Sequence, residues 1–191
     1  MGQYYRPVIQ NLSNPDNEID ITIYNRDIDG EYTMAKLLEH SYMGNRLMKA
    51  ICKLLYKNKC KVAWVGDYSE PEELINLGIP SIIANNISSA EGVGLNSVEF
   101  DYKGKYLVNH TKGIYMSFDK YLNDEINTSN PCAIIHPLSL LTAVGNGRGG
   151  GDYTAAMNLD LVGTWAWNEI EITDEVSPDY SEVIIAFNEE M

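Results

Sequence analysis

The chain has 191 residues, 45 % of them apolar, which is enough for one domain with a real core and argues against disorder. Its 14 basic side chains face 27 acidic ones, a net charge of −13, which opposes non-specific binding of DNA or RNA because such binding needs basic phosphate contacts. No apolar run approaches the ~20 residues of a membrane-spanning helix, and the start Met1-Gly-Gln-Tyr-Tyr-Arg6 has no apolar signal region.

Along the chain, Tyr4–Gln10 alternates loosely and predicts a strand, followed by a loop over Asn11–Glu18 around Pro15. Ile19–Tyr24 alternates cleanly, as a half-buried strand does, and Arg26–Gly30 is a turn. Thr33–Tyr56 has helical spacing, with Met34, Leu37 and Leu38, then Leu47, Met48, Ile51, Leu54 and Leu55. Gly44 and Asn45 interrupt it, so one kinked helix or two short ones fit. Lys61–Gly66 is a short β-type run. Ser69-Glu-Pro-Glu72 has the form of a capping box, with Pro71 early in a helix and Gly78 as its stop. Ser81–Ala84 is apolar and of open type.

Ser97–Tyr102 and Lys105–Asn109 flank Lys103-Gly104 and predict a hairpin, to which Ile114–Ser117 adds a strand. Asn123–Pro131 is a polar loop. Ala133–Ile135 is β-type and ends at His136-Pro137, because the residue before proline avoids helix. Leu138–Ala143 leads into a glycine-rich segment. Leu161–Trp167, Glu169–Ile172 and Glu182–Phe187 predict late strands. The sum is a single α+β domain over residues 1–191, β-rich, with an antiparallel or mixed sheet and one main helical region. Strands and helices do not alternate regularly, so a doubly wound nucleotide fold is not expected.

The most distinctive segment is Gly145–Asp152, Gly-Asn-Gly-Arg-Gly-Gly-Gly-Asp. Glycine allows positive φ and lets backbone approach a ligand without a Cβ in the way. Successive backbone N–H groups can form an anion-binding nest, and Arg148 adds a planar fork suited to phosphate or carboxylate. Asn146, Gly147, Arg148, Gly149 and Gly150 are therefore the expected phosphate contacts, with Asp152 or Tyr153 on a sugar. The Gly-Lys-Ser/Thr ending of a P-loop is absent. Gly145, Gly147 and Gly150 match only the bare Gly-x-Gly-x-x-Gly pattern.

Of the three histidines, His40, His110 and His136, none pairs with another at metal-ligand spacing on one element, so no metal site is expected. His40 with Glu39 or Asp67 could do acid–base work, with Ser41 or Ser139 as nucleophile, but no Gly-x-Ser-x-Gly elbow supports this. His40, Asp67 and His136 are candidates for the pocket of the glycine segment. Trp165 and Trp167 would share a face if they lie on a strand, for core packing or for stacking on a base. Cys52, Cys60 and Cys132 are an odd, unpatterned set, which predicts neither disulfides nor zinc and fits a reducing, cytoplasmic setting.

The segments Met1-Gly-Gln-Tyr-Tyr5, Glu39-His-Ser-Tyr42, Trp64-Val-Gly-Asp-Tyr68, Val108-Asn-His-Thr-Lys112, Ile135-His-Pro-Leu138, Gly145–Tyr153 and Gly163-Thr-Trp-Ala166 resemble a family of small bacterial and bacteriophage proteins of uncharacterised activity. Thr164 and Trp167 depart from that family's Gly-Ser-Trp-Ala-charged pattern. The resemblance implies a whole-chain domain and a phage setting, and carries no activity.

These observations predict a non-enzymatic, cofactor-free protein that holds a phosphate-bearing small ligand, such as a nucleotide signal, at the glycine segment, in the manner of a phage counter-defence protein. One alternative is an acidic mimic of nucleic acid that occupies a basic host protein, as some anti-CRISPR proteins do. Another is a hydrolase or transferase using His40 or His136. No membrane partner is expected.

Overall fold

The computed structural model describes residues 4–13, 21–23, 37, 41–85, 98–123, 134–145 and 159–185. An eight-stranded mixed sheet organises them. Its strands are β1 (Tyr5–Asn11), β2 (Ile21–Ile23), β3 (Cys60–Gly66), β4 (Tyr106–Asn109), β5 (Ile114–Ser117), β6 (Ala143–Val144), β7 (Glu169–Thr173) and β8 (Ser181–Glu182). Their order is β2-β1-β3-β7-β4-β5-β8, with β6 beside β3. The pairings β3–β6 and β5–β8 are parallel, and the rest are antiparallel. This is the expected α+β domain.

Alternation along β3 builds two cores. Cys60, Val62 and Trp64 enter the larger one, with Tyr5 and Ile9 of β1. Ala63 and Val65 enter the smaller one on the opposite face, with Val8. Among the described residues, five helices cover these faces: α1 (Arg46–Leu55), α2 (Pro71–Asn76), α3 (Ser81–Ala84), α4 (Phe118–Asn123) and α5 (Pro137–Leu141).

The longest helix, α1, begins where the sequence pattern is interrupted. The Asn45 side chain accepts from Leu47 N at 2.8 Å and Met48 N at 3.4 Å, capping two otherwise unpaired donors. The interruption is thus a helix start. In the first part of the predicted helix Leu37 is buried in a turn and Ser41–Met43 are not helical, Tyr42 forming a bridge with Ile135 instead, while the rest lies outside the described residues. The loops predicted at Asn11–Glu18 and Asn123–Pro131 and the turn at Arg26–Gly30 also lie largely outside them.

Three expectations are corrected. The Ser69 capping box does not form: α2 is capped by Glu70 without a side-chain bond, and Ser69 Oγ donates instead to Val144 O at 3.2 Å. The hairpin is shifted: residues 98–102 are not strand, and β4 pairs with β5 across His110–Gly113. Tertiary pairing with β7 decides this over the local Lys103-Gly104 turn signal. Finally, Leu161–Trp167 is no strand. A 3-10 turn at Leu159–Leu161 runs into successive turns through Trp167, whose φ is 58°. Both Trp165 and Trp167 are buried, in different cores, so neither presents a face for stacking on a base.

That irregular segment fills a fork in the sheet. On the side away from β1, β3 pairs first with β7 at Cys60 and Lys61, then with β6 at Trp64 and Val65. Between these partners Trp167 N donates to Val62 O at 2.7 Å, and Trp165 N donates to Leu141 O at 2.7 Å. Val62 O of the forked strand thereby finds a backbone donor without a continuous neighbouring strand.

Candidate functional site

Gly145, the first residue of the glycine segment, follows β6 at this fork. β6 ends at Val144, and the φ of Gly145 is 77°. A Cβ on Gly145 would lie 1.9 Å from Ser69 Oγ and 2.9 Å from Ser69 Cα, so no other residue fits there without moving backbone. Gly163 is equally constrained, with φ 76° and a Cβ position 2.6 Å from Ala143 O. Two glycines thus allow three segments to close on one another: the turn before α2, β6, and the turns 162–167.

A 650 Å³ cleft opens between those segments. Its floor is apolar, formed by Ala143, Val144, Val162 and Ala166. Its wall is α2 with the residue before it, and it carries the carboxylates of Glu70, Glu72 and Glu73. Glu73 accepts a long hydrogen bond, 3.4 Å, from Gly145 N. Gly78, with φ 92°, ends α2 and lies against the Trp167 indole, which fixes the wall on the smaller core. This arrangement suits a small molecule with an apolar body and hydroxyl or amino groups that donate to carboxylates.

The predicted site residues divide sharply. His40, Asn146, Gly147, Arg148, Gly149, Gly150, Asp152 and Tyr153 lie outside the described residues. Asp67 is exposed just beyond β3, two residues before Ser69. Its backbone N donates to Tyr4 O at 2.8 Å and its carboxylate accepts from Tyr4 N at 3.2 Å, closing the end of the β1–β3 pair.

His136 belongs to the larger core rather than to the cleft. It caps α5, with Nδ1 accepting from Leu138 N at 3.2 Å, so Nε2 carries the hydrogen and faces Cys52 Sγ at 3.1 Å. Its ring packs between Tyr102 and Phe118. Burial pushes its pKa down to about 3 and raises that of the Cys52 thiol. A neutral imidazole with both nitrogens occupied and no surface cannot exchange protons with a substrate. Ser41 and Ser139 are also fully buried.

The remaining histidine is arranged differently. His110, on the β4–β5 turn, has Nε2 2.8 Å from Glu171 Oε2 and Nδ1 3.1 Å from the Tyr180 hydroxyl. Sequence reading passed over this set because Glu171 and Tyr180 lie 61 and 70 residues from His110 and share no motif with it. The one available signal is that Glu171 sits on an outward position of an alternating strand, Glu169–Thr173.

Among the described residues no group of three or more histidine, cysteine or acidic side chains could hold a metal ion, and no helix is long and apolar enough to cross a membrane. No family model matches the chain, and no curated protein or solved structure matches it.

Proposed function

We propose that the protein binds a small phosphate-bearing ligand, of the nucleotide class, in the cleft at the root of the glycine segment, without turning it over. The observation that carries this reading is the 650 Å³ cleft lined by Val144, the residue before that segment, and by Glu73, whose carboxylate accepts from Gly145 N. The chemistry of the wall orients the ligand. Glu70, Glu72 and Glu73 repel phosphate and accept from ribose hydroxyls or base amino groups, so sugar and base lie over α2. The phosphate then points away from α2, and Asn146, Arg148 and backbone N–H groups of the glycine segment would hold it.

Calorimetry with linear and cyclic nucleotides, and with nucleosides as controls, tests this. Nucleotides are expected to bind more tightly than nucleosides. Arg148→Ala is expected to weaken binding at least tenfold, as loss of a charge-assisted hydrogen bond worth ~1.5–3 kcal/mol would. Absence of binding heat across the panel, or unchanged affinity in Arg148→Ala, overturns the reading.

A second reading is favoured by one feature of the same wall. Ile75 and Leu77 are exposed beside the three glutamates, a mixed acidic and apolar surface suited to a basic protein groove. As a counter-defence inhibitor the protein would block a nucleic-acid enzyme in a salt-sensitive manner. Inhibition of purified host nucleases by the wild type, lost when Glu70, Glu72 and Glu73 become lysine, is the expected result. Equal inhibition by both proteins refutes it.

A further inference from the structure

The Glu171–His110–Tyr180 set lies on different elements from the cleft and plays no part in the proposed binding. An ionised Glu171 can only accept, so His110 Nε2 carries the hydrogen that bridges the 2.8 Å gap. In the neutral ring Nδ1 then bears the lone pair, and the Tyr180 hydroxyl donates to it across 3.1 Å. The hydrogen bonds run from phenol to imidazole to carboxylate, the order of a nucleophile, its base and the group that orients the base.

Each member is held in place. Glu171 lies on β7 opposite Val108 of β4, and His110 N donates to Glu169 O at 2.8 Å, so the ring, one residue past the end of β4, is held beside the strand that carries the carboxylate. The Tyr180 ring rests on Gly113, with only 3.7 Å to the position a Cβ would take there. Tyr180 N donates to Ser177 O at 3.0 Å, which fixes the turn that presents it. Tyr180 is half-buried, in contrast to the sealed His136–Cys52 pair. A staple between the β4–β5 turn and the C-terminal segment would need only one of the two hydrogen bonds on His110.

We propose that Tyr180 is a nucleophilic phenol, activated by His110 and positioned through Glu171, that accepts an acyl group from an uncharged activated ester. The charge of the chain, −13, with Glu171 and Asp179 close in structure or sequence, disfavours a polyanionic phosphoryl donor. In the step, the phenol oxygen bonds to the acyl carbon while His110 Nδ1 takes the phenolic proton. The bond from acyl carbon to the leaving oxygen breaks, and His110 returns the proton to that oxygen. Water, with His110 again as base, then cleaves the tyrosyl ester, so the sum is ester plus water giving acid plus alcohol.

The test uses p-nitrophenyl acetate on the full chain, with release of p-nitrophenolate and peptide mapping of the acetyl group. Tyr180 is expected to be acetylated about 10²-fold faster than Tyr4 and Tyr68, which are more exposed and serve as internal references. Tyr180→Phe removes the fast release, and His110→Gln removes the rate advantage. Glu171→Gln keeps an acceptor for Nε2–H without the charge. It should slow acetylation less than His110→Gln, and less than Glu171→Ala, which removes the acceptor altogether. Equal acetylation of Tyr180, Tyr4 and Tyr68 in the wild type overturns the proposal and requires no variant to fold. An unchanged rate in folded His110→Gln overturns it as well.

Discussion

His136 Nε2 lies 3.1 Å from Cys52 Sγ, and neither side chain has any exposed surface. The folded protein therefore holds an imidazole that must stay neutral, with a pKa near 3 against an ordinary 6.5. Between those values the unfolded chain takes up a proton that the folded chain does not. Stability is complete above about pH 6.5 and declines as pH falls toward 3. Urea denaturation between pH 7 and pH 4 should show this loss, with a limiting slope of ~1.4 kcal/mol per pH unit from this one group. His136→Asn retains an acceptor for Leu138 N and cannot titrate. It should cost stability at pH 7 through lost packing, yet flatten the acid limb. Parallel curves for the two proteins would show that His136 is not the group responsible.

Gly145→Ala and Gly163→Ala should each destabilise the fold by about 2–3 kcal/mol, combining left-handed backbone strain with a steric clash. At Gly145 the new Cβ meets Ser69 backbone as well as its hydroxyl, so adding Ser69→Ala should restore only part of the loss. Thermal or chemical denaturation reads both effects. Full rescue by the second substitution would mean that the hydroxyl alone closes the turn.

All three tryptophans are buried, at 0 % exposure for Trp64, 2 % for Trp165 and 5 % for Trp167. Native emission should be blue-shifted and poorly quenched by acrylamide, and should red-shift in one cooperative step on unfolding. Strong native quenching would place at least one indole at the surface and reopen stacking as a role for it.

Local pattern was informative where one periodicity dominated. The alternation in β7 and the apolar spacing of α1 were legible because each buries one consistent face, and β1 and β3 were legible as β-type runs because both of their faces are buried. The turns 162–167 misled for a physical reason: Val162, Trp165 and Trp167 are β-type residues, but they fill a fork whose hydrogen bonds come from β3 and α5. Gly145 was legible as a special position, whereas the carboxylate wall facing it was not, since Glu73 is 72 residues away. His136 read as a site candidate because sequence does not reveal burial. His110 read as ordinary because its partners come from β7 and from the turn before β8.

The place of β7 has a consequence for biosynthesis. It enters the sheet between β3 and β4, though it is made after both. A nascent chain emerging from the ribosome carries β2-β1-β3 and the β4–β5 hairpin as two separate ribbons, each with an apolar face and an open edge. Only when Glu169–Thr173 emerges can Cys60 and Lys61 on one side and Tyr106–Asn109 on the other be joined. Translation halted before that point leaves two unpaired edges for chaperones and proteases to find.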